Sequence, residues 1–454
     1  MAEINVDLNI SNVVVPTESA GGASNWVAAF LSYNDLVAAL GNADERAANY
    51  MLLQSPNDLF QRLYATYDTG WYIDEGEIDS DGNTLYVNRT PDGGEANWPN
   101  GPYTTSNGDP TGWGKEFDEV ANYLAYGGRC FVAGRPDNLP DTVNNGKSVI
   151  ENTNTTINCA YTGNPSKNEE IIDIGKTRGC MSICQVDVKA PLSSNPSPNG
   201  LPTAETEQSK NTFHVAGQKQ HIGAFSSIAD GDDTSTNLRT TGVAADIAGV
   251  MSNVYASSSP YRSPAGTNNR LLNFVKEEYS LTSLDRAELA TKFVNPIRTF
   301  EGIGTCLFGD RTGNSVDGEK VFNYVNVSLT YSEINRRLTN VITQYMFLEN
   351  NATNRSALTS SLETELRRVQ AANGISEFRV ICDDTNNPPD IVLAGNLIVN
   401  ITFKFILSVQ NIILKYTALS GDQTVQSSVG SGSASGGTST SGGGGSSTSS
   451  GSSY

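Results

Sequence analysis

Val380–Pro389 reads V-I-C-D-D-T-N-N-P-P. The apolar run Phe378 to Ile381 leads into Cys382, the carboxylates of Asp383 and Asp384, and the turn-forming Asn386-Asn387-Pro388-Pro389, before a second apolar stretch opens at Ile391. The pattern predicts a strand, a tight polar loop and a return to apolar chain. The flanks say what that strand packs against. Before it, Ile334, Leu338, Ile342 and Tyr345 share one face of a helix starting near Tyr331. Leu358, Leu362, Leu366 and Val369 share one face of a second helix, stopped by Asn373-Gly374. After it, Val399, Ile401, Phe403 and Phe405 alternate with Asn400, Thr402 and Lys404, and Ile412 and Leu414 mark a further strand to Tyr416. Two amphipathic helices over a three-stranded sheet make an α+β two-layer module across residues 321–420.

Beyond it the chemistry changes. No charge follows Asp422, and residues 421–454 are dominated by Gly, Ser and Thr, the composition of a flexible tail. Upstream, Ile303 to Phe308 reads as a buried strand ended by Gly309-Asp310. Leu284, Ala287, Leu289 and Ala290 set a helix from Asp285 to Phe293 that Asn295-Pro296 closes, and Gly242 to Val254 reads as a packed helix. Phe117, Val120, Ala121 and Leu124 form a helix face ended by Gly127-Gly128 before the strand-like Cys130 to Ala133, within an α/β part at 26–134. Residues 65–115 are rich in Gly, Asp, Asn, Pro, Trp and Tyr and predict turns and short strands, a variable β-rich segment. Residues 135–220, rich in Asn, Pro, Ser and Thr with little periodicity, read as an inserted, surface-exposed region ahead of a middle domain at 221–320. At the other end, Ile4, Val6, Leu8 and Ile10 alternate with Asn5, Asp7 and Asn9 in a segment, 1–25, that has no partner strand nearby. It is either an edge strand of the chain's own fold or an arm that adds to a neighbouring subunit's sheet, with Gly21-Gly22 giving it reach.

Composition narrows the function. With 30 basic and 49 acidic residues the net charge is −19, which opposes direct binding to nucleic acid or to an anionic membrane and leaves proteins as the expected partners. Six cysteines in 454 residues are too sparse for a disulfide framework and are expected reduced. The first ten residues lack a secretion-signal pattern, and no stretch approaches the ~18 apolar residues of a membrane span. Asp79 to Asn83 imitates a calcium loop but has Thr84 and Thr90 where glycine and glutamate are needed. Asn145-Gly146-Lys147-Ser148 hints at a phosphate loop, yet Asp141 stands at the first glycine. Cys180, Cys184, His214 and His221 are the only metal-type group, at spacings that miss the structural zinc patterns. No cofactor, metal or catalytic residue is assigned.

Several blocks in fixed order resemble the tail sheath proteins of contractile-tailed bacteriophages, the large T-even-like ones most. They are Ser259 to Gly266, Val294-Asn295-Pro296-Ile297 with Phe300 to Gly304, Phe308-Gly309-Asp310-Arg311-Thr312, Tyr324 to Val327, Tyr345 to Asn350, and Cys382-Asp383 through Asn386-Asn387-Pro388. Residues 242–419 carry the resemblance. Ser328-Leu329 stand where the family usually has paired arginines, and its proline near Leu348 to Asn350 is absent. The resemblance implies a multidomain chain with a subtilisin-like α/β middle domain. It further implies six-fold rings stacked helically around a tail tube, and terminal arms that add strands to the C-terminal sheets of neighbours. The expected partners are then the chain itself, the tube, baseplate and tail terminator or neck proteins, in the virion tail, with assembly in the host cytoplasm. Two other readings stand beside it: the sheath of a phage-derived contractile injection system, and a serine hydrolase. The second needs a histidine base, and only His214 and His221 exist.

Overall fold

The computed structural model describes residues 26–409 except 34–35, 67–71, 79–83, 88–112, 135–145, 203–208, 223–237, 258–259 and 315–319. The chain divides into two compact units, 1–408 and 409–454, and all the described helices and strands belong to the first. The expected strand at Ile4 to Ile10, the calcium-like loop, the strand at Ile412 to Tyr416 and the Gly/Ser tail lie outside the described residues.

In chain order the elements begin with β1 (Val27–Leu31), α1 (Leu36–Leu40), α2 (Ala43–Ala48), β2 (Tyr50–Leu53), α3 (Pro56–Thr66), β3 (Tyr72–Ile78), β4 (Thr84–Val87), α4 (Trp113–Leu124) and β5 (Arg129–Ala133). Next come α5 (Gly146–Asn152), β6 (Cys159–Tyr161), α6 (Asn168–Arg178), β7 (Met181–Val186), β8 (Thr212–Ala216), β9 (Gln218–Ile222), β10 (Leu238–Gly242), α7 (Ala244–Ala256), β11 (Lys276–Glu277) and α8 (Ser283–Thr291). The series ends with β12 (Val294–Phe300), β13 (Gly304–Leu307), α9 (Val325–Thr343), α10 (Ala352–Ala371), β14 (Ile375–Ile381), α11 (Pro389–Leu393) and β15 (Asn400–Phe405).

Eight strands form one sheet in the order β13-β12-β8-β7-β6-β1-β5-β2. The pairs from β12 to β5 are parallel, and β2 and β13 close the two ends antiparallel. Strand β1 shows how the sequence builds it. Ala28 and Phe30 pack with α1, α3, α4 and α7 on one face, while Val27, Ala29 and Leu31 pack with α5 and α6 on the other. A strand covered on both faces is apolar throughout, so V-A-A-F-L does not alternate.

This overturns the reading of residues 135–220 as a surface insertion. Its strands β6, β7 and β8 are buried at the centre of the sheet, with α6 on one face. The boundaries at 134 and 220 fall away too, because β1 and β5 before them and β12 and β13 after them belong to the same sheet. Strands of three to six residues, buried on both sides and set between Asn- and Pro-rich loops, carry neither period that marks an element in sequence. A second correction concerns Asn295-Pro296. Helix α8 is capped by Thr282, which accepts from Asp285 N, and its turn ends with Phe293 at φ 57°. Asn295 and Pro296 then sit inside β12, opposite Val215 and Ala216, and close no helix.

The C-terminal module has the expected two layers. Helices α9 and α10 cover an antiparallel pair, β14 and β15, around a core of Ile334, Leu338, Leu358, Leu362, Leu366 and Phe405. Helix α9 starts at Val325, earlier than its apolar stripe suggests. Asn351 caps α10 by accepting from Asn354 N at 2.8 Å, and Asn373 ends it in the left-handed region at φ 62°.

On the α4 face, Lys219 of β9 donates to Asp246 of α7 at 2.7 Å with both side chains buried. Tyr126 donates to the same carboxylate oxygen at 3.1 Å and accepts from Leu272 N at 2.7 Å. The pair joins three segments far apart in sequence, and removing one partner strands a charge in the interior. Lys219→Ala is expected to cost about 3–5 kcal/mol in urea unfolding, the usual loss when a buried pair is broken; a loss below 1 kcal/mol would mean that water reaches the site.

Candidate assembly surface

The upstream signature forms a joint. Asn295 Nδ2 donates to His214 O at 2.9 Å and Arg311 O at 2.7 Å, and Asn295 Oδ1 accepts from Arg311 N at 2.8 Å. Gly309 packs directly on this amide: a Cβ there would lie 2.7 Å from Asn295 Oδ1. Phe308 N donates to Pro296 O at 2.8 Å, continuing the strand pairing. Asp310 O accepts from Val325 N at 2.8 Å, the first residue of α9, and its carboxylate accepts from Ser408 Oγ. Thr312 N donates to Asn323 O at 3.0 Å, and the Arg311 guanidinium lies 5.1 Å from the Tyr324 ring centroid. One short segment thus ties β8 and β12 to the start of the C-terminal module.

The loop after β14 is built from amides. Asn386 Nδ2 donates to Ile381 O at 2.8 Å and Ile398 O at 3.0 Å, while its Oδ1 accepts from Asp383 N at 3.0 Å. Asn387 exchanges two bonds with Ile398, donating to its carbonyl at 2.9 Å and accepting from its N–H at 2.7 Å. Thr385 donates to Asp383, which holds that carboxyl below its usual range. Cys382 is buried, and burial raises its thiol pKa. Pro388 precedes α11 at its N-cap. Arg355, nearly buried on α10, pairs with Asp384 and donates to Asn350 Oδ1 at 2.9 Å. These groups are spent on one another and on backbone, so the loop fixes how β15 returns beside β14.

The strands so fixed present two different faces. Val399, Ile401, Phe403 and Phe405 pack toward the helices with Phe378 and Val380, while Glu377, Arg379, Thr402 and Lys404 point outward. Among the described residues β14 and β15 pair only with each other, and no third strand lies along either outer edge. Beside them a groove of about 1250 Å³ runs between helix residues such as Tyr331 and Ile342 and strand residues such as Arg379 and Ile401. A strand edge beside a groove of mixed polar and apolar lining is what an added strand needs: backbone partners on one side and pockets for alternate side chains below.

Residues 317–418 match the family model for the phage tail sheath C-terminal domain. Over 192 residues, 42% of this chain, the sequence is 29% identical to the tail sheath protein of Vibrio phage KVP40. Over 177 residues, 39% of the chain, it is 30% identical to the tail sheath protein of Enterobacteria phage T4. The matched stretches span only 28% and 27% of those two proteins. In fold, 91% of the chain is similar, with a TM-score of 0.60, to a chain of the anti-feeding prophage baseplate, all of which is covered at 15% identity. The same TM-score and share relate it to the sheath complex of an extracellular contractile injection system in its contracted state, at 16% identity and 96% coverage of that chain.

The joint borders the matched stretch and the amide loop lies within it, while neither histidine ring belongs to a catalytic arrangement among the described residues. His214 is buried in β8, where burial pulls its pKa down to about 4, and its Nδ1 has no hydrogen-bond partner. A triad base needs that nitrogen held by a carboxylate. His221 Nδ1 faces Asn273 Nδ2 at 3.3 Å. Cys180 and Cys184 are buried free thiols, as are the other four cysteines, and among the described residues no three His, Cys, Asp or Glu side chains are grouped to hold a metal. Lys147, in the phosphate-loop-like stretch, opens α5 and pairs with Asp173 at 2.8 Å. No helix among the described residues is long and apolar enough to cross a membrane.

The carboxyl ends of the parallel strands, where open α/β sheets hold ligands, are filled by acidic side chains that the sequence patterns did not single out. Glu116 accepts from Ser32 Oγ and Tyr33 N, both at 2.6 Å. Glu119 is buried against Gly163, and neither of its oxygens has a hydrogen-bond partner. Burial raises its pKa to about 8, Lys115 opposes the rise, and the carboxylates of Glu116, Asp187 and Asp118 add to it. The folded state therefore keeps a proton that the unfolded chain loses above its ordinary value of 4.5, and stability falls as pH rises from about 4.5 to about 8. Glu119→Gln is expected to flatten that slope in thermal melts between those values; an unchanged slope would mean that Glu119 is ionised and solvated.

Proposed function

We propose that the chain is a structural subunit of a contractile tail sheath. It polymerises as stacked six-fold rings around a tail tube and contracts to drive that tube through the host envelope for genome ejection. The observation that carries this reading is the match of residues 317–418 to the tail sheath C-terminal model, in a module whose two strands have no third strand beside them among the described residues. The donated strand carries Ile4, Val6, Leu8 and Ile10, and it adds to a neighbour's C-terminal sheet, to which Ile412 and Leu414 belong.

Magnitudes explain why such arms hold a lattice yet let it move. Burying four aliphatic side chains contributes roughly 6–12 kcal/mol. Ordering about seven residues costs roughly 7–14 kcal/mol in backbone entropy. The two nearly cancel, so the backbone hydrogen bonds of the added strand, at about 1 kcal/mol each, decide the balance. Each link is modest and the mesh is strong because every subunit makes several. The remaining faces can then exchange one packing for another while the arms keep subunits connected. No nucleotide is consumed: free energy stored in an extended lattice is released when the baseplate biases the equilibrium. With a net charge of −19, contacts between rings depend on charge complementarity and therefore on salt.

The remaining parts of the proposal derive from it. The partners are further copies, the tube, baseplate and terminator proteins, in the virion tail after assembly in the host cytoplasm. The parallel sheet β12-β8-β7-β6-β1-β5 with helices on both faces supports a subtilisin-like description of the middle of the chain, without a triad. A second reading, the sheath of a phage-derived injection system, is favoured by the fold neighbours, whereas the sequence relatives are phage proteins. Capsid and terminase genes beside this one would decide for a phage.

Negative-stain electron microscopy of the full chain should show long hollow tubes, and deletion of residues 1–20 should abolish them. Tubes that persist without the arm would remove it from the mesh.

A further inference from the structure

The turn between α9 and α10 displays apolar side chains that its fold does not require. Phe347 is fully exposed and sits at φ 67°, in the left-handed region that aromatic residues disfavour. Met346 and Leu348 beside it are 43% and 51% exposed. A glycine or asparagine would make the same turn at less strain. The backbone is nonetheless held firmly. Asn354 Nδ2 donates to Glu349 O at 2.8 Å, Asn350 Nδ2 donates to Asn396 O at 2.9 Å, and Arg355 secures Asn350.

The ring is thus pre-positioned at the end of the groove beside β15, with Leu397 and Ile398 across the rim. The two stretches that meet here carry little charge: Glu349 is the one charged residue from 338 to 354, and none occurs from 391 to 403, while the groove behind them is lined by the basic Arg355 and Arg379. Two copies that each carry −19 repel over most of their surfaces and meet at lowest cost through an apolar tip beside basic side chains. The tip is also continuous with the groove that receives a neighbour's strand under the function proposed above.

We propose that Phe347 is an apolar anchor that docks on a second copy of this chain, closing the end of the groove that takes the exchanged strand. A rigid, exposed aromatic flanked by partly buried apolar residues has the make-up of an interface hot spot. Its strain is repaid on assembly, when the ring leaves water without any reordering of the turn. This inference rests on the sheath reading, and its test keeps the two apart.

In the full-length chain, F347G removes both ring and strain. The isolated subunit should melt at the same temperature or higher, while the concentration needed for tube formation, read by sedimentation and electron microscopy, rises at least tenfold. F347L, which keeps an apolar side chain and the strain, should restore most of the assembly. The arm variant L8D is the reference. If L8D stops assembly while F347G assembles at the wild-type concentration, the anchor is wrong and the sheath reading stands. If F347G forms tubes normally but no longer binds a tail tube protein, the ring docks on the tube and the second-copy assignment falls. A wild-type chain that stays monomeric at every concentration and salt tested overturns both.

Discussion

The side-chain amide of Asn295 holds three backbone groups on two segments at once: His214 O of β8, and the carbonyl and N–H of Arg311 on the segment leading to α9. Its geometry demands a glycine at 309, whose Cβ would collide with it, and it sets where Asp310 and Thr312 meet the start of the C-terminal module. A carboxamide suits this position because it donates and accepts within one rigid plane, so a single buried side chain satisfies backbone groups that would otherwise lie unpaired. This contact is one of those that attach the C-terminal module to the eight-stranded sheet, beside Gly313 N to Thr212 O and Tyr255 to Glu333.

A second carboxamide pair repeats the device at the far end of the module. Asn386 and Asn387 fix the return of β15, and with it which side chains face the helices and which edge stays open. Since alternate residues of a strand face opposite ways, a slip of one position would turn Ile401 and Phe403 outward and Thr402 and Lys404 into the core. The loop therefore fixes one register of β15 against β14.

Ionisable side chains lie buried beside the sheets. Lys219 and Asp246 are buried as a pair, and Glu119 is buried beside Gly163 with its proton retained. Such groups cost free energy to bury, and in an enzyme their position at the strand ends would suggest catalysis. Here burial keeps the histidine of β8 neutral, and its Nδ1 has no hydrogen-bond partner.

What the sequence determined alone was local and periodic. The stripes Leu358-Leu362-Leu366-Val369 and Val399-Ile401-Phe403-Phe405 each bury one face of one element, so burial repeats with the element's own period and is visible without coordinates. The ordered motifs around Asn295 and Asn387 were visible as well, though not their bonds, since the partners lie 11 to 81 residues away. Tertiary structure decided the rest. Strands β6, β7 and β8 are covered on both faces, which erases alternation and made the middle of the sheet look like an insertion. The reach of Lys219 to Asp246, the isolation of Glu119 and the display of Phe347 depend on which surfaces other segments cover. That is a property of packing between distant parts of the chain, and periodicity along it carries no record of them.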